Sequence, residues 1–294
     1  MIGTFILLIA IAVAMYELGW FTKPQPVEIA EGLRKIPDDQ RASGKLPDEI
    51  ILRWLGHSSF VLRWRGVTIL IDPNTAERCT VSHRILKLPA DVAKLGRIDA
   101  VLITHAHYDH LNIDTLMRIP EIGFTAVPVG SEEYFALAQA SHAKPRPVQI
   151  GETFRVGEIE ITAVTAAHNG DRFHPWRSPK IAVGYVLRSG SLTIYFAGDT
   201  AAHNDFAAIR GRFHPDVAIL PIGAFSPRRA LKIHHLNPEE AVEAALKLGA
   251  QTVVPCHFGT FRLSFDRPAT ALPRFAAEAK RRGISWVMPE LLES

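Results

Sequence analysis

Apolar residues along this chain fall into short runs, and the spacing within each run separates strands from helices. Residues 50–72, "IILRWLGHSSFVLRWRGVTILID", read as three β-rich runs broken by "GHSS" and "RG", the pattern of an antiparallel meander. Beyond them, "DAVLIT", "FTAVPV", "EIEITAV", "IAVGYVL", "LTIYFAG", "DVAILPI" and "QTVVPC" predict strands. "SEEYFALAQA", "NPEEAVEAALKLG" and "PATALPRFAAEAKRRG" repeat their apolar residues at helical spacing. The second of these carries complete punctuation, with Asn237 as N-cap, Pro238 at the first helical position and Gly249 at the end. Strands and helices interleave to the C-terminus, which predicts a mixed α/β or α+β sandwich.

The N-terminus follows neither period. "MIGTFILLIAIAVAMYELGWF", residues 1–21, has no charged side chain before Glu17, and twenty helical residues span roughly the 30 Å of a bilayer core. Trp20, Phe21 and Lys23 then fall where interfacial anchors belong, so the segment reads as a single-pass transmembrane anchor. A cleavable signal peptide is the main alternative, with "AVA" at 12–14 supplying small residues, and a buried core helix is the other. Lys23, Arg34 and Lys35 all follow the segment and favour a cytoplasmic domain under the positive-inside rule, leaving the side open. Residues 22–49 are rich in proline and charge and predict a linker with one helical turn at most. The folded domain is expected over 50–294.

Composition narrows the choice of partner. The net charge of +3, from 33 basic and 30 acidic residues, creates no large field for gripping nucleic acid. Two cysteines, Cys79 and Cys256, allow at most one bridge and make no disulfide framework. Cys256 precedes His257 within a strand, so its side chain should face away from it and belong to the core.

Candidate chemistry is concentrated in "THAHYDHLN", residues 104–112, where His105, His107, Asp109 and His110 occupy one turn after the run "DAVLI". Four such groups beside a buried strand would repel one another or stay unpaired unless a cation sat between them. Imidazole and carboxylate suit zinc, and a tight turn lets His105 and His107 converge on one ion while Asp109 and His110 point to a second. Two ions need further ligands, and His168, Asp199 and His257 each end an apolar run. Singly, each has an ordinary reading as a cap or a hydrogen-bonded histidine.

His105-x-His107-x-Asp109-His110 followed by His168, Asp199 and His257 resembles the metallo-β-lactamase superfamily. The resemblance covers roughly residues 50–265 and implies a four-layer αββα sandwich with a dinuclear zinc site between the sheets. It implies that His105, His107 and His168 hold one zinc, that Asp109, His110 and His257 hold the other, and that Asp199 bridges. A narrower resemblance rests on "GHSSF", "ILIDP", "THAHYDHLN", "FAGDT", "PIGAFSPR", "HHLNPEEAV" and "HFGTF". These segments are similar to the branch containing N-acyl-phosphatidylethanolamine-hydrolysing phospholipase D and its bacterial relatives. That branch implies cleavage of a phosphodiester at a membrane surface, with a phospholipid or other anionic diester as substrate, and His235 matches its additional active-site histidine.

On this reading two zinc ions generate hydroxide at neutral pH and polarise a phosphoryl oxygen, Asp109 orients the hydroxide, and His235 stabilises or protonates the leaving alkoxide. Packing beside the "NPEEAV" helix is the alternative role for His235, and neighbouring His234 is a rival for the catalytic one. A lactonase or other ester hydrolase would use the same ligands, because the ions specify the attack and not the bond attacked. A non-catalytic metal-binding membrane protein would be expected to have lost ligands. Arg172, Arg177, Arg228, Arg229 and Lys232 are candidate partners for an anionic substrate, or ordinary solvated charge. Phe173, Trp176, Phe225 and Leu231 would line an acyl groove or close the edge of the core.

Overall fold

The computed structural model describes residues 35–86, 91–172, 180–203 and 205–292. Two six-stranded sheets form its centre. The first contains β1 (Ile50–Trp54), β2 (Phe60–Trp64), β3 (Val67–Ile71), β4 (Ala100–Leu102), β5 (Thr125–Pro128) and β6 (Pro145–Val148), in that spatial order. The second contains β7 (Thr153–Val156), β8 (Ile159–Asn169), β9 (Ile181–Ser189), β10 (Leu192–Phe196), β11 (Val217–Pro221) and β12 (Thr252–Cys256), again in order. Each sheet begins as an antiparallel meander and ends in parallel strands.

Alternation along the strands explains the layers. In β2 to β4, Leu62, Ile69, Ile71, Ala100 and Leu102 face the second sheet, joining Ile161, Tyr185 and Phe196 in the central core. Their neighbours Val61, Leu70 and Val101 point outward and pack with Leu116 from α1 (Ile113–Met117), Phe135 from α2 (Glu133–Leu137) and Ile119 just after α1. Beyond the second sheet lie α3 (Asp205–Phe213), α4 (Arg228–Leu231), α5 (Pro238–Leu248) and α6 (Ala271–Arg282), of which α5 and α6 contribute Val242, Leu248 and Phe275 to the core. The result is the expected αββα sandwich. The expected helix over 131–140 is only the five residues of α2, while α3 lies where no helix was expected, its buried Phe206 and Ile209 separated by a single turn. α5 runs as predicted from Asn237 to Gly249. Pro273 does not break α6, because it stands in the first turn, where a backbone N–H has no helical partner.

The second half of the predicted linker is packed against the domain. Ile36 is buried, and the Gly44 N–H donates to the Trp286 carbonyl at 2.8 Å. The single helical turn there is Asp38–Gln40. The predicted anchor, residues 1–21, lies outside the described residues; among those described, no helix is long and apolar enough to cross a membrane. Cys79 and Cys256 are free and buried, and burial pushes both thiols well up, as suits core positions.

Candidate metal centre

The loops that follow β3, β4, β10 and β12 and the end of β8 meet at one end of the two sheets. The turn after β4 is locked first. Thr104 donates its backbone N–H to Asp72 Oδ1 at 2.8 Å and its hydroxyl to Asp72 Oδ2 at 2.6 Å, while its carbonyl accepts from Val183 in β9 at 2.9 Å. Asp72, just past β3, holds φ at 42°, a left-handed value uncommon outside glycine. The "FAGDT" turn comes close on the other side: a Cβ on Gly198 would stand 2.8 Å from the Thr104 Cβ, so only glycine fits.

These contacts also orient histidines. Nδ1–H of His105 donates to the Thr104 hydroxyl (3.0 Å), that of His110 to Asp72 Oδ2 (2.7 Å), and that of His168 to the His234 carbonyl (2.8 Å). Each bond fixes the ring and leaves the Nε2 lone pair facing the cluster, the usual arrangement of a metal-ligating imidazole.

The free atoms form two sets. In the first, His107 Nδ1 lies 3.0 Å from His105 Nε2 and 3.1 Å from His168 Nε2. In the second, Asp109 Oδ2 lies 3.5 Å from both His110 Nε2 and His257 Nε2. Donors about 2.0–2.1 Å from a tetrahedral ion stand about 3.3 Å apart, so both sets have the spacing of a shared cation. Asp199 Oδ2 sits between them: 3.0 Å from His257, 3.3 Å from His110, 4.0 Å from both His105 and His168, and 3.7 Å from His235 Nδ1. His110 Nε2, Asp199 Oδ1, His235 Nδ1 and both ring nitrogens of His257 are buried without a hydrogen-bond partner. Orphaned polar atoms in such number are destabilising in a dry site unless a cation receives them, so the donor set fits a metal.

Electrostatics agree. Burial holds His105, His107, His168 and His235 below the ordinary histidine value, His168 at about 4, so these rings are neutral. Burial opposes charge on Asp109 and Asp199 too, yet His110 and His257 hold both carboxyls well below the usual range. Conversely, against burial, Asp199 and Asp109 raise His110 well above its ordinary value and His257 to about 9. Two buried carboxylates thus demand two positive charges among the histidines. A divalent cation meets the same demand while leaving both rings neutral.

All seven ligand candidates and His235 are therefore brought to one place. His235 rather than His234 turns its ring into the cluster; His234 serves through its carbonyl, which orients His168. Arg172 is not free to meet a substrate. Its Nε and Nη2 donate to the carbonyls of Ala106 and Leu111, both at 2.8 Å, and its guanidinium stacks 4.1 Å from Tyr108 and 4.5 Å from Tyr134, bracing the histidine turn. Arg228 donates to the His235 carbonyl at 2.7 Å and pairs with Glu240, while Arg229 and Lys232 are exposed. Phe225 is buried and stacks beneath Arg274, 4.6 Å from its guanidinium carbon. Phe173, Trp176 and Arg177 lie outside the described residues. Two residues that sequence reasoning does not single out also matter. Asp72 orients His110, and His57, in the turn after β1, reaches Asp109 Oδ2 at 2.8 Å. Both lie in segments that carry the family resemblance, "GHSSF" and "ILIDP", but nothing in the sequence alone gives either residue a role at the site.

Comparison with known proteins agrees with this geometry. A family model described as a beta-lactamase superfamily domain matches residues 67–258. The chain is 34% identical over 212 residues to a UPF0173 metal-dependent hydrolase of Methanoculleus marisnigri, covering 71% of this chain and 81% of that protein. It is 30% identical over 226 residues to N-acyl-phosphatidylethanolamine-hydrolyzing phospholipase D 1 of Caenorhabditis elegans, covering 71% of this chain and 63% of that one. Among solved structures, the metallo hydrolase Igni18 of Ignicoccus hospitalis shares the fold, with a TM-score of 0.63 at 23% identity over 83% of this chain and 96% of its own.

Proposed function

This chain belongs to the beta-lactamase superfamily and is a metal-dependent hydrolase, and from that premise we propose that it is a phosphodiesterase of phospholipase D type acting on N-acyl-phosphatidylethanolamine-like lipids. His105, His107 and His168 would hold one zinc, Asp109, His110 and His257 a second, with Asp199 between them. Bound there, the two ions would supply a water that ionises near neutral pH and a Lewis acid for the phosphoryl oxygen.

The protein's own groups do the rest. Asp109 accepts a hydrogen bond from the attacking water and aims it in line with the departing oxygen. Burial keeps the His235 imidazole neutral, so it acts as an N–H donor to the alkoxide on which charge develops. The observation that carries the hydrolytic reading is Asp199 Oδ2, within 4.0 Å of five imidazole nitrogens in a buried pocket. An amphiphilic substrate is supported by the worm relative and by the rim. Tyr108, between two ligand candidates, is 51% exposed, and Ile233, two residues before His235, is 64% exposed beside solvent-facing Arg229 and Lys232. Residues 1–21 would place this rim at a membrane.

The test assays an N-acyl-phosphatidylethanolamine, bis(p-nitrophenyl) phosphate and simple lactones side by side, before and after chelation. Diester cleavage lost on chelation and restored by zinc is the expected result. Turnover of lactones alone would make the enzyme a lactonase on the same site and overturn the phosphodiesterase reading. His235→Ala should lower kcat roughly 10²-fold with metal content unchanged.

A further inference from the structure

We propose that His57 is a positioning residue for the second ion set alone: it holds the Asp109 carboxylate in place and is not itself a ligand. The proposal rests on the two-ion reading above. His57 lies in the turn between β1 and β2, outside every segment that carries a ligand candidate, and its ring is fully buried.

Distances separate the two roles an imidazole could play here. His110 Nε2 and His257 Nε2 each stand 3.5 Å from Asp109 Oδ2, the spacing of donors around a common cation. His57 Nε2 stands 2.8 Å from that oxygen, which is the length of an N–H···O hydrogen bond. The free nitrogen of His57 does not separate the roles, since Nδ1 of His57 and of ligand candidate His257 are alike unpaired; the short contact to Asp109 does. His57 therefore donates through Nε2 to the carboxylate.

The backbone is built to keep that ring where it is. His57 has φ of 54°, a left-handed conformation unusual for a residue with a Cβ. Three hydrogen bonds hold it: its N–H donates to Thr260 Oγ1 at 2.6 Å, and its carbonyl accepts from Trp54 Nε1 at 2.8 Å and from the His257 N–H at 3.0 Å. The last bond joins His57 directly to a member of the second set. Its ring also lies 4.0 Å from that of His257 and 5.4 Å from that of His110, centroid to centroid. Every contact His57 makes with the cluster is thus to Asp109, His110 or His257. A strained residue held against one half of a two-part site should affect that half.

Stepwise titration of the metal-free full chain with cobalt(II) against a competing chelator, with stoichiometry from native mass spectrometry and the cobalt visible spectrum recorded at each step, reads this out without substrate. The wild type should take up two ions. His57→Ala should bind the first with unchanged affinity and the second roughly 10- to 100-fold more weakly, the usual effect of losing an outer-shell partner. His57→Gln, which keeps a donor and most of the volume, should recover part of the loss and guards against a folding failure in the alanine variant. Equal weakening of both ions would show a purely structural role and overturn the proposal. So would no weakening, or a second-ion spectrum in the alanine variant that reports one nitrogen ligand fewer, which would make His57 a ligand. A wild type that binds a single ion would instead overturn the two-ion reading, and this proposal with it.

Discussion

The two sheets supply the candidate metal centre in different ways. The first contributes His105, His107, Asp109 and His110 from a single turn after β4, shaped by the Asp72–Thr104 bonds and by Arg172 across its back. The second contributes one group per loop: His168 from β8, Asp199 after β10, His235 before α5 and His257 after β12. A turn is a local solution, fixed by a few bonds within it. The dispersed groups converge only because β9 to β12 pair in register, Tyr185 beside Phe196, Phe196 beside Ile219, and Pro221 beside Cys256. Half of the centre thus depends on hydrogen bonds around one loop, and half on the packing of a whole sheet.

Removing the group that joins the halves should have the largest effect. Asp199→Ala takes away the carboxylate that lies between the two sets and leaves five imidazole nitrogens with no anion at their centre. Metal content should fall below one ion per chain and hydrolysis by at least roughly 10³-fold, measured by elemental analysis and a diester assay on the same sample. His107→Ala, which touches only the first set, should keep the second ion. If Asp199→Ala also kept one ion at full affinity, Asp199 would belong to one set, and the two halves would be separable.

The same division decides what is legible in the sequence. The His105–His110 turn is, because four donors within six positions can be recognised without knowing the fold. His168, Asp199 and His257 are legible only as polar ends of apolar runs, and they gain meaning as a set. His57 and Asp72 fall within the quoted segments "GHSSF" and "ILIDP", but their roles are not legible, since each is a single polar residue whose partner, Asp109 or His110, stands 52 or 38 positions away. Arg172 misleads for a related reason: a charged loop residue near a ligand looks available to substrate until the fold shows two carbonyls on its donors. The strands and α5 are legible because period and capping agree; α2 shows its helical spacing but is shorter than expected, and α1, five residues long, is too short to show a period.

Cutting across these halves, the set of His105, His107 and His168 is held neutral while His110 and His257 of the other set are held charged, which predicts a pH dependence for the metal-free protein. His57 (about 3), His168 (about 4), His105, His107 and His235 have lowered values, so below about pH 6.5 the unfolded chain binds protons that the folded chain refuses. Stability should therefore fall as pH drops from about 6.5 toward 4, by up to about 1.4 kcal/mol per pH unit for each such ring. His110 and His257 have raised values, so their stabilisation is complete below about 6.5 and lost as pH rises, through about 9 for His257. Thermal melts of chelated protein should thus peak near pH 6.5. Zinc requires His110 and His257 to be deprotonated, so the alkaline decline should vanish once metal is bound. A chelated protein equally stable at pH 5 and 7 would contradict the neutral buried rings.

The smallest expected effect tests how firmly the dispersed half is held. Asn237 caps α5 by accepting from the Glu240 N–H at 2.8 Å, and Glu240 returns the bond to the Asn237 N–H at 3.1 Å. Arg228 links this cap to the site, pairing with Glu240 and donating to the His235 carbonyl at 2.7 Å. Asn237→Ala should cost about 1 kcal/mol, the usual value of an N-cap, and lower Tm by about 2–4 °C. Activity should change far less than in His235→Ala. His235 keeps its own N–H bond to Leu231 at 2.9 Å, and Leu236 still donates to Thr200 at 2.8 Å, so the ring stays anchored on both sides when the cap is lost. A fall in kcat of more than about threefold at 25 °C, with metal content intact, would mean that the start of α5 sets the position of His235 more tightly than these two bonds do. The dispersed half would then depend on its helix caps as the clustered half depends on Asp72 and Thr104.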